Sequence, residues 1–379
     1  MKLKTFMYDP EFGWTTDELS AASGENTLVV VFGGSGITAE SEPLQALINS
    51  CKGATMMGCS TSGEIFETFI YDDSLSVAVM EFEKTNIATA SAISKSGEDS
   101  FAAGQSIARE LLRDDLAGIF VLSDGTTVNG SELVRGLNDV VPSNVVITGG
   151  LAGDGTAFES TWVLNNEGVH NNMIQAVAFY GDAVSIGHGS KGGWDIFGPE
   201  RSVTKSKNNV LYELDGQPAL ELYKTYLGDR AEGLPGTALL FPLALREESG
   251  AEKSVVRTIL SVNEEDQSMT FAGDVPEGHR VQLMKANFDR LIEGAADAAV
   301  KTVESASSES PVLSIAISCV GRRLVLGERT DEELEATMDA LPEGSEQIGF
   351  YSYGEISPYA SGSCDLHNQT MTLTTITEK

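Results

Sequence analysis

The sequence has few basic residues for its length. Its 379 residues include 25 Lys plus Arg against 56 Asp plus Glu, which gives a net charge of −31. Such a chain repels phosphate backbones and anionic lipid headgroups. The composition therefore argues against a nucleic-acid reader or a peripheral membrane protein, and solubility is the simplest interpretation of the acidity.

Long apolar runs are also missing. The longest, residues 237–245, has about half of the roughly 18 to 20 residues that span a bilayer. The first ten residues contain two lysines but no apolar core of a signal peptide. We therefore expect a cytoplasmic protein without a membrane partner, and 41% apolar residues suffice for two or three buried cores.

The common enzyme signatures are absent. The sequence has no G-x-x-x-x-G-K-[ST] phosphate loop, no H-E-x-x-H zinc pair and no G-x-S-x-G nucleophile elbow. One G-x-G-x-x-G occurs at Gly187, Gly189 and Gly192, but the following Gly-Trp-Asp-Ile-Phe-Gly-Pro cannot open the helix that a dinucleotide site requires. These absences favour a protein that is not an enzyme.

Cysteine and histidine are scarce and scattered. No C-x-x-C spacing occurs, so we expect reduced thiols at Cys51, Cys59, Cys319 and Cys364. No histidine has a second one at i+3 or i+4, which argues against a metal site on one helix face. A haem needs only one axial histidine, so a non-covalent haem b with His188 or His367 as ligand stays open, as do His170 and His279.

The order strand, helix, glycine turn, strand recurs along the chain. It appears around residues 28–82, 118–180 and 312–376, and a long alanine-rich helix is predicted at 282–303. The pattern predicts a mixed α/β fold of two related domains, each a β-sheet packed with helices, arranged as pseudo-repeats. We place the boundary near residues 192–199, giving domains of residues 1–195 and 196–379.

Two of the turns share G-x-x-[ST]-x-G-E-I, at residues 58–65 and 349–356. Glycine lets a ligand approach the backbone, and the following glutamate adds a carboxylate beside N–H groups. Glu64 or Glu355 would then hold an ammonium group, and either the N–H groups of the turn or Arg322 would hold the carboxylate of a zwitterion. In the alternative interpretation, each glutamate only accepts hydrogen bonds within its own turn.

Other residues near these turns are further candidates. Tyr351 and Tyr353 alternate along an extended segment, which suits either two rings that line one wall of a site or two core residues. Cys319 precedes two arginines, which lower a thiol pKa unless the cysteine is buried and inert. Asp154 lies on a glycine turn, either as a ligand-binding carboxylate or as a turn former. No catalytic residue or metal ligand is predicted, and the candidate ligand-binding residues are Gly58, Cys59, Ser60, Thr61, Ser62, Gly63, Glu64, Gly150, Gly153, Asp154, Cys319, Arg322, Tyr351, Tyr353, Gly354 and Glu355.

The chain resembles the FIST proteins, with their N-terminal and C-terminal FIST domains. The resemblance rests on residues 58–65, 149–154 and 349–356 together with 214–219, 271–278, 318–322 and 366–370, in the family's order. It implies a sensory module that binds small ligands, amino acids among them, and signals to histidine kinases, cyclic-di-GMP enzymes or, in eukaryotes, ubiquitin ligase machinery. Some bacterial members look like haem proteins that sense nitric oxide.

Four functional hypotheses follow. The leading one is a non-enzymatic sensor that binds an amino-acid-like or other small metabolite and regulates a histidine kinase or cyclic-di-GMP enzyme in trans. The second is a haem-binding nitric-oxide sensor that controls a histidine kinase. The third is an enzyme with Cys319 or Cys59 as nucleophile near Glu355 or Glu64. An interaction scaffold without a small ligand is the remaining alternative.

Overall fold

The computed structural model describes residues 1–16, 19, 24–250, 254–306, 312–358 and 363–379. The fold is mixed α/β, as predicted. In chain order, the strands of the first half are β1 (Lys2–Asp9), β2 (Gly13–Trp14), β3 (Thr27–Gly34), β4 (Thr55–Thr61), β5 (Glu64–Phe66), β6 (Phe69–Tyr71), β7 (Leu75–Glu81), β8 (Asn86–Ile93), β9 (Leu116–Ser123), β10 (Val146–Leu151), β11 (Val163–Asn165), β12 (Gly168–His170), β13 (Met173–Tyr180) and β14 (Val184–Lys191).

The strands of the second half follow. They are β15 (Asp195–Lys207), β16 (Val210–Leu214), β17 (Gln217–Pro218), β18 (Leu243–Arg246), β19 (Val255–Arg257), β20 (Ile259–Asn263), β21 (Ser268–Phe271), β22 (Arg280–Lys285), β23 (Leu313–Cys319), β24 (Glu346–Ser352), β25 (Gly354–Pro358), β26 (Cys364–His367) and β27 (Met371–Glu378). The helices are α1 (Glu42–Ser50), α2 (Ser100–Leu111), α3 (Gly130–Asn138), α4 (Ala219–Leu227), α5 (Phe288–Ala306), α6 (Val320–Leu326) and α7 (Thr330–Asp339).

The predicted repeat is present three times. Each unit has two parallel strands joined through a helix and flanked by an antiparallel strand: β3 and β4 with β7, β9 and β10 with β13, and β23 and β24 with β27. In each second strand a glycine lies beside its neighbour's backbone, Gly58 at Val31, Gly149 at Val121 and Gly349 at Ala316. A side chain at any of the three would come within 2.2 Å of that neighbour's carbonyl oxygen.

The three units exchange strands in a closed cycle. β5 leaves the first unit and pairs with β24 of the third, β25 leaves the third and pairs with β10 of the second, and β11 leaves the second and pairs with β4 of the first. The glycine turns that precede β5 and β25 are therefore the crossing points. Two of the β-sheets therefore contain strands from both sides of the boundary that was predicted at residue 195.

One apolar core lies between the three sheets. The rings of Phe32 and Phe350 stack with centroids 4.7 Å apart, and Phe120, Val177 and Ile317 belong to the same buried cluster. Because every sheet contributes a face to this core, the three units are packed as one body.

A further sheet, in the order β19-β18-β22-β15-β16-β21-β20, packs on α4 with an apolar core of its own. The sequence analysis predicted a helix over residues 282–303, but β22 occupies its start and α5 begins at Phe288. Val281, Leu283 and Met284 are buried as strand residues in this layer, so tertiary burial overrides the helical pattern there.

Candidate ligand-binding cleft

A continuous cleft opens where parallel strands β9, β10 and β23 end. It has an open polar part of about 800 Å³ and an apolar part of about 310 Å³. Phe158, Leu260, Ala272 and Tyr353 line both parts and join them. The carboxyl ends of parallel strands are where α/β sheets bind ligands, because the chain leaves the sheet there and opens a crevice.

An aromatic pair forms the junction between the two parts. The rings of Phe158 and Tyr353 stack with centroids 4.4 Å apart and planes 15° apart. The Tyr353 hydroxyl donates a hydrogen bond to the Asp154 carboxylate and accepts one from the Phe158 amide at 3.3 Å. Burial and the neighbouring Asp154 raise the pKa of Tyr353, so the hydroxyl stays protonated and keeps donating.

Asp154 holds the loop that carries Phe158. Its carboxylate accepts hydrogen bonds from the backbone amides of Phe158, Glu159 and Ser160, each at 2.8 Å. Partial burial raises the pKa of Asp154, but the hydrogen bonds from Tyr353 and these amides outweigh it, so the net pKa is lowered. An ionised Asp154 therefore fixes one wall of the cleft.

The apolar part exposes large apolar side chains to solvent. Phe158, Leu260 and Leu324 line it and remain 48%, 42% and 46% exposed. Cys319 and Gly321 border it at the start of α6. Exposed apolar residues grouped around a concavity are typical of a binding surface rather than of scattered surface positions.

The polar part is predominantly acidic. Its lining includes the carboxylates of Glu98, Glu132 and Asp274 and one cation, Arg135. Arg135 is already paired with Glu132 at 2.6 Å. Asn129 caps α3 by accepting from the Glu132 amide at 3.1 Å, and its Nδ2 donates to Asp274 at 3.3 Å. Against these three carboxylates stand Arg135 and the buried Arg257 beside Asp274, so this part stays net negative and favours a cationic group on a ligand.

Buried Asp124 shapes the backbone of the polar part. It accepts hydrogen bonds from the amides and hydroxyls of Thr126 and Thr127 and from the Thr161 hydroxyl. Burial raises the pKa of Asp124, but these hydrogen bonds together lower it below its ordinary value. The sequence analysis missed this residue, whose signal is the Asp-Gly-Thr-Thr turn directly after a strand.

The two repeat glutamates lie in the core. Glu64 is 1% exposed and accepts from the hydroxyl of Thr61 and from the amide and hydroxyl of Ser74, the last two at 2.8 and 2.9 Å. Burial, opposed by these hydrogen bonds, raises its pKa to about 7. Its carboxylate thus accepts from its own turn, as in the second interpretation, and also ties that turn to Ser74 at the start of β7.

Glu355 repeats this arrangement. It is fully buried and accepts from the Ser352 hydroxyl at 2.8 Å and from the Thr370 amide and hydroxyl at 3.2 and 2.9 Å. Burial raises its pKa to about 8 against the opposing hydrogen bonds. Among the described residues that line the cleft, neither Glu64 nor Glu355 is present.

Arg322 is likewise internal. It pairs with Glu333 at 2.6 Å with both side chains fully buried, and it donates to the carbonyls of Gly192 and Leu291. Tyr351 donates to the same Glu333 at 2.7 Å. Tyr351 and Tyr353 therefore do not line one wall: Tyr351 is a core residue in this buried network, whereas Tyr353 lines the cleft.

The remaining candidates lie where the three units meet. Ser60 accepts from the Trp162 amide at 3.0 Å, and Gly153 packs against Ser62. Gly150 abuts Phe350, and Gly354 abuts Leu366. Buried turn or strand positions are also occupied by Gly58, Cys59, Thr61 and Gly63. Of the predicted site residues, the cleft brings together Cys319 and Tyr353, with Asp154 behind them.

Cys319 and Cys59 are buried thiols. Burial raises the pKa of Cys319, and the nearby Glu355 raises it further, which favours the buried, inert cysteine over the activated thiol. Burial likewise raises the pKa of Cys59. A thiol held in its neutral form is a poor nucleophile.

The cleft does not fit a histidine-ligated haem. None of the described residues that line it is a histidine. His367 is 3% exposed, with Nε2 3.0 Å from the Ser357 carbonyl, and burial lowers the pKa of His188 on β14. In the described ranges no three His, Cys, Asp or Glu side chains are grouped to hold a metal ion.

Comparison with known protein families shows to which family the chain belongs. Residues 27–217 match the FIST N domain and residues 219–358 the FIST C domain. The chain belongs to the FIST family. FIST domains are signal-transduction sensor domains that bind small ligands. No curated protein matches the chain, and no helix in the described residues has the length and hydropathy to cross a bilayer.

The cleft residues come from both FIST domains. Gly125, Asn129 and Phe158 belong to the FIST N domain, whereas Leu260 and Tyr353 belong to the FIST C domain. Sequence reasoning missed most of them because they lie on loops and on the additional sheet, outside the repeated turns.

Proposed function

We propose that this FIST protein is a non-enzymatic sensor whose ligand is a small amphipathic cation or zwitterion. Its apolar portion packs against the Phe158 and Tyr353 pair, and its ammonium group lies among the carboxylates of the polar part. Apolar amino acids and their amines have this chemistry. The observation that carries the proposal is the stacked pair, which joins an apolar cavity to an acidic one.

The ligand acts by changing how the additional sheet packs against the body formed by the three units. Because Leu260 belongs to that sheet whereas Phe158 and Tyr353 belong to the three-unit body, a molecule bound in the cleft contacts both. It shifts the equilibrium toward the arrangement that it binds better. The altered surface then regulates a partner in trans, for which a histidine kinase or a cyclic-di-GMP enzyme is the expected class.

The test is a thermal-unfolding screen with apolar amino acids and the corresponding amines, followed by calorimetry. A ligand that binds only the folded state raises the unfolding temperature. Phe158→Ala should abolish the shift, and the matched control is Phe69→Ala, since Phe69 is 49% exposed on β6 and outside the cleft. No shift with any compound, or equal shifts in both variants, contradicts the proposal.

An absorbance spectrum separates this proposal from the haem-sensor hypothesis. Because the described cleft residues include no histidine, we expect no stoichiometric Soret band after haem is added. A band that shifts with nitric oxide and disappears in His188→Ala or His367→Ala would replace the amine-sensor proposal with the haem sensor.

A further inference from the structure

One edge of a sheet is unusually open. β8 ends the sheet in the order β26-β25-β10-β9-β13-β8, and within the described residues it pairs with β13 alone. Its eight residues contain no charge and no proline, in a chain where 21% of residues are charged. Edge strands usually carry lysine, proline or a bulge because their free N–H and C=O groups pair with other chains.

The sequence of this edge is nearly a palindrome. Residues 87–93 read Ile-Ala-Thr-Ala-Ser-Ala-Ile, symmetric about Ala90 apart from the exchange of Thr for Ser. When two such strands pair antiparallel about Ala90, Ile87 lies opposite the second copy's Ile93 and Thr89 opposite its Ser91. Every cross-strand pair then joins residues of matched size and polarity, which favours this register.

The two faces of β8 suit such a pairing. Ala88, Ala90 and Ala92 pack on the core beneath α2, with Ala90 4% exposed. Ile93, on the opposite face, is 51% exposed. Pairing would place it beside the second copy's Ile87 and reduce that exposure.

We propose that two copies of this chain associate through β8, antiparallel and centred on Ala90, so that their sheets become continuous. About six to eight main-chain hydrogen bonds would form across the junction. A two-fold axis relates the two copies, and each copy contributes its β8 edge to the contact. No β8 edge is then left to bind a third copy, so the assembly stops at a dimer.

Salt should strengthen this association. Each copy carries a net charge of −31, so two copies repel one another at long range. The paired strands themselves are uncharged, so ions screen the repulsion without weakening the contact.

Sedimentation velocity of the full chain tests the proposal, at about 0.15 and 0.5 M salt. We expect a dimer whose fraction rises with concentration and with salt. A sample that remains monomeric at both salt concentrations overturns the inference.

A pair of double variants tests the register. Thr89→Lys with Ser91→Lys places like charges opposite one another twice, and we expect a monomer. Thr89→Glu with Ser91→Lys places opposite charges at the same positions, and we expect a dimer. Circular dichroism checks that both variants fold, and a dimer that is insensitive to the first pair of substitutions assigns the contact to another surface and overturns the proposal.

Hydrogen exchange gives a readout that requires no variant. The amides of residues 86–93 that face outward should be protected at high concentration and lose that protection on dilution. Protection that does not change on dilution contradicts the pairing.

Discussion

Phe158 and Tyr353 stack face to face although they lie 195 residues apart in the chain and in different FIST domains. Phe158 adopts a left-handed backbone conformation with φ of 54°, which is costly for a bulky side chain. The hydrogen bonds from its amide to Asp154 and Tyr353 hold it there. The wall of the cleft thus exists only when both domains are in place.

Removal of one hydroxyl should loosen this wall. Tyr353→Phe keeps the ring but deletes the donor to Asp154, and we expect a loss of about 1–2 kcal/mol in the free energy of unfolding. Amides 158–160 should exchange hydrogen faster. Urea unfolding measures the loss, with Tyr212→Phe as control, because half-buried Tyr212 contacts Lys205 through its ring, which phenylalanine keeps. Equal losses in both variants would show that the hydrogen bond from the Tyr353 hydroxyl contributes nothing to the free energy of unfolding.

Cys319 should react slowly even though it borders the cleft. It is 3% exposed, and burial together with Glu355 raises the pKa of its thiol. We expect alkylation by iodoacetamide at neutral pH about tenfold slower than that of a free cysteine, or slower still. Intact-mass spectrometry measures the rate, and Cys319→Ser identifies which thiol reacts. A rate above that of free cysteine would instead support the cysteine-enzyme hypothesis.

The repeat glutamates should make stability depend on pH. Burial raises the pKa values of Glu64 and Glu355 to about 7 and about 8. The folded state then binds more protons than the unfolded state from the ordinary carboxyl range up to these values. The contribution of these two glutamates to stability should therefore be fully present below the ordinary carboxyl pKa of 4.5, decline as the pH rises from there, and be lost once the pH passes about 8.

A substitution isolates this effect. Glu355→Gln imitates the protonated side chain, with its amide toward Ser352 and its oxygen toward the Thr370 amide. Its unfolding temperature should decline less between about pH 5 and pH 8 than that of the original chain. The exposed control Glu159→Gln should leave the decline unchanged. An identical decline in the Glu355→Gln variant would mean that Glu355 titrates as an ordinary carboxyl.

The sequence predicts the units of this fold better than their assembly. The glycine turns and apolar periods indicate mixed α/β repeats, which the structure confirms. The periodicity of the sequence does not indicate that β5 pairs with β24 rather than with a strand of its own unit. An apolar strand such as β5 fits beside either one equally well. The same turns indicated Glu64 and Glu355 as candidates, because a glutamate after a turn glycine fits both a ligand site and a hydrogen-bonded turn.

The cleft was harder to predict for a different reason. Phe158 and Leu260 lie on segments without a helical or strand period that marks an exposed face. Their proximity depends on the additional sheet lying against the ends of β9 and β23, which is a long-range feature. Tyr353 was found because it sits beside a repeated turn, and Phe158 had no such marker.

The strongest test of the three-unit architecture is a substitution that adds one methyl group to a glycine between two parallel strands. Gly349 lies beside Ala316 in the parallel pair, and a Cβ there would be 1.9 Å from the Ala316 carbonyl oxygen. Because that oxygen belongs to the backbone of a central strand, it cannot move aside without displacing the sheet. We expect Gly349→Ala to cost about 3 kcal/mol in the free energy of unfolding.

The control is a glycine with open space. A Cβ at Gly236 meets nothing within 4 Å, so Gly236→Ala should change stability by less than about 1 kcal/mol. Urea unfolding of the two variants measures the difference, and Gly58→Ala should behave like Gly349→Ala because its Cβ would lie 2.2 Å from the Val31 carbonyl oxygen. Equal stability of Gly349→Ala and Gly236→Ala would mean that the parallel strands do not pair in this register, and the strand exchange built on that register would fail with it.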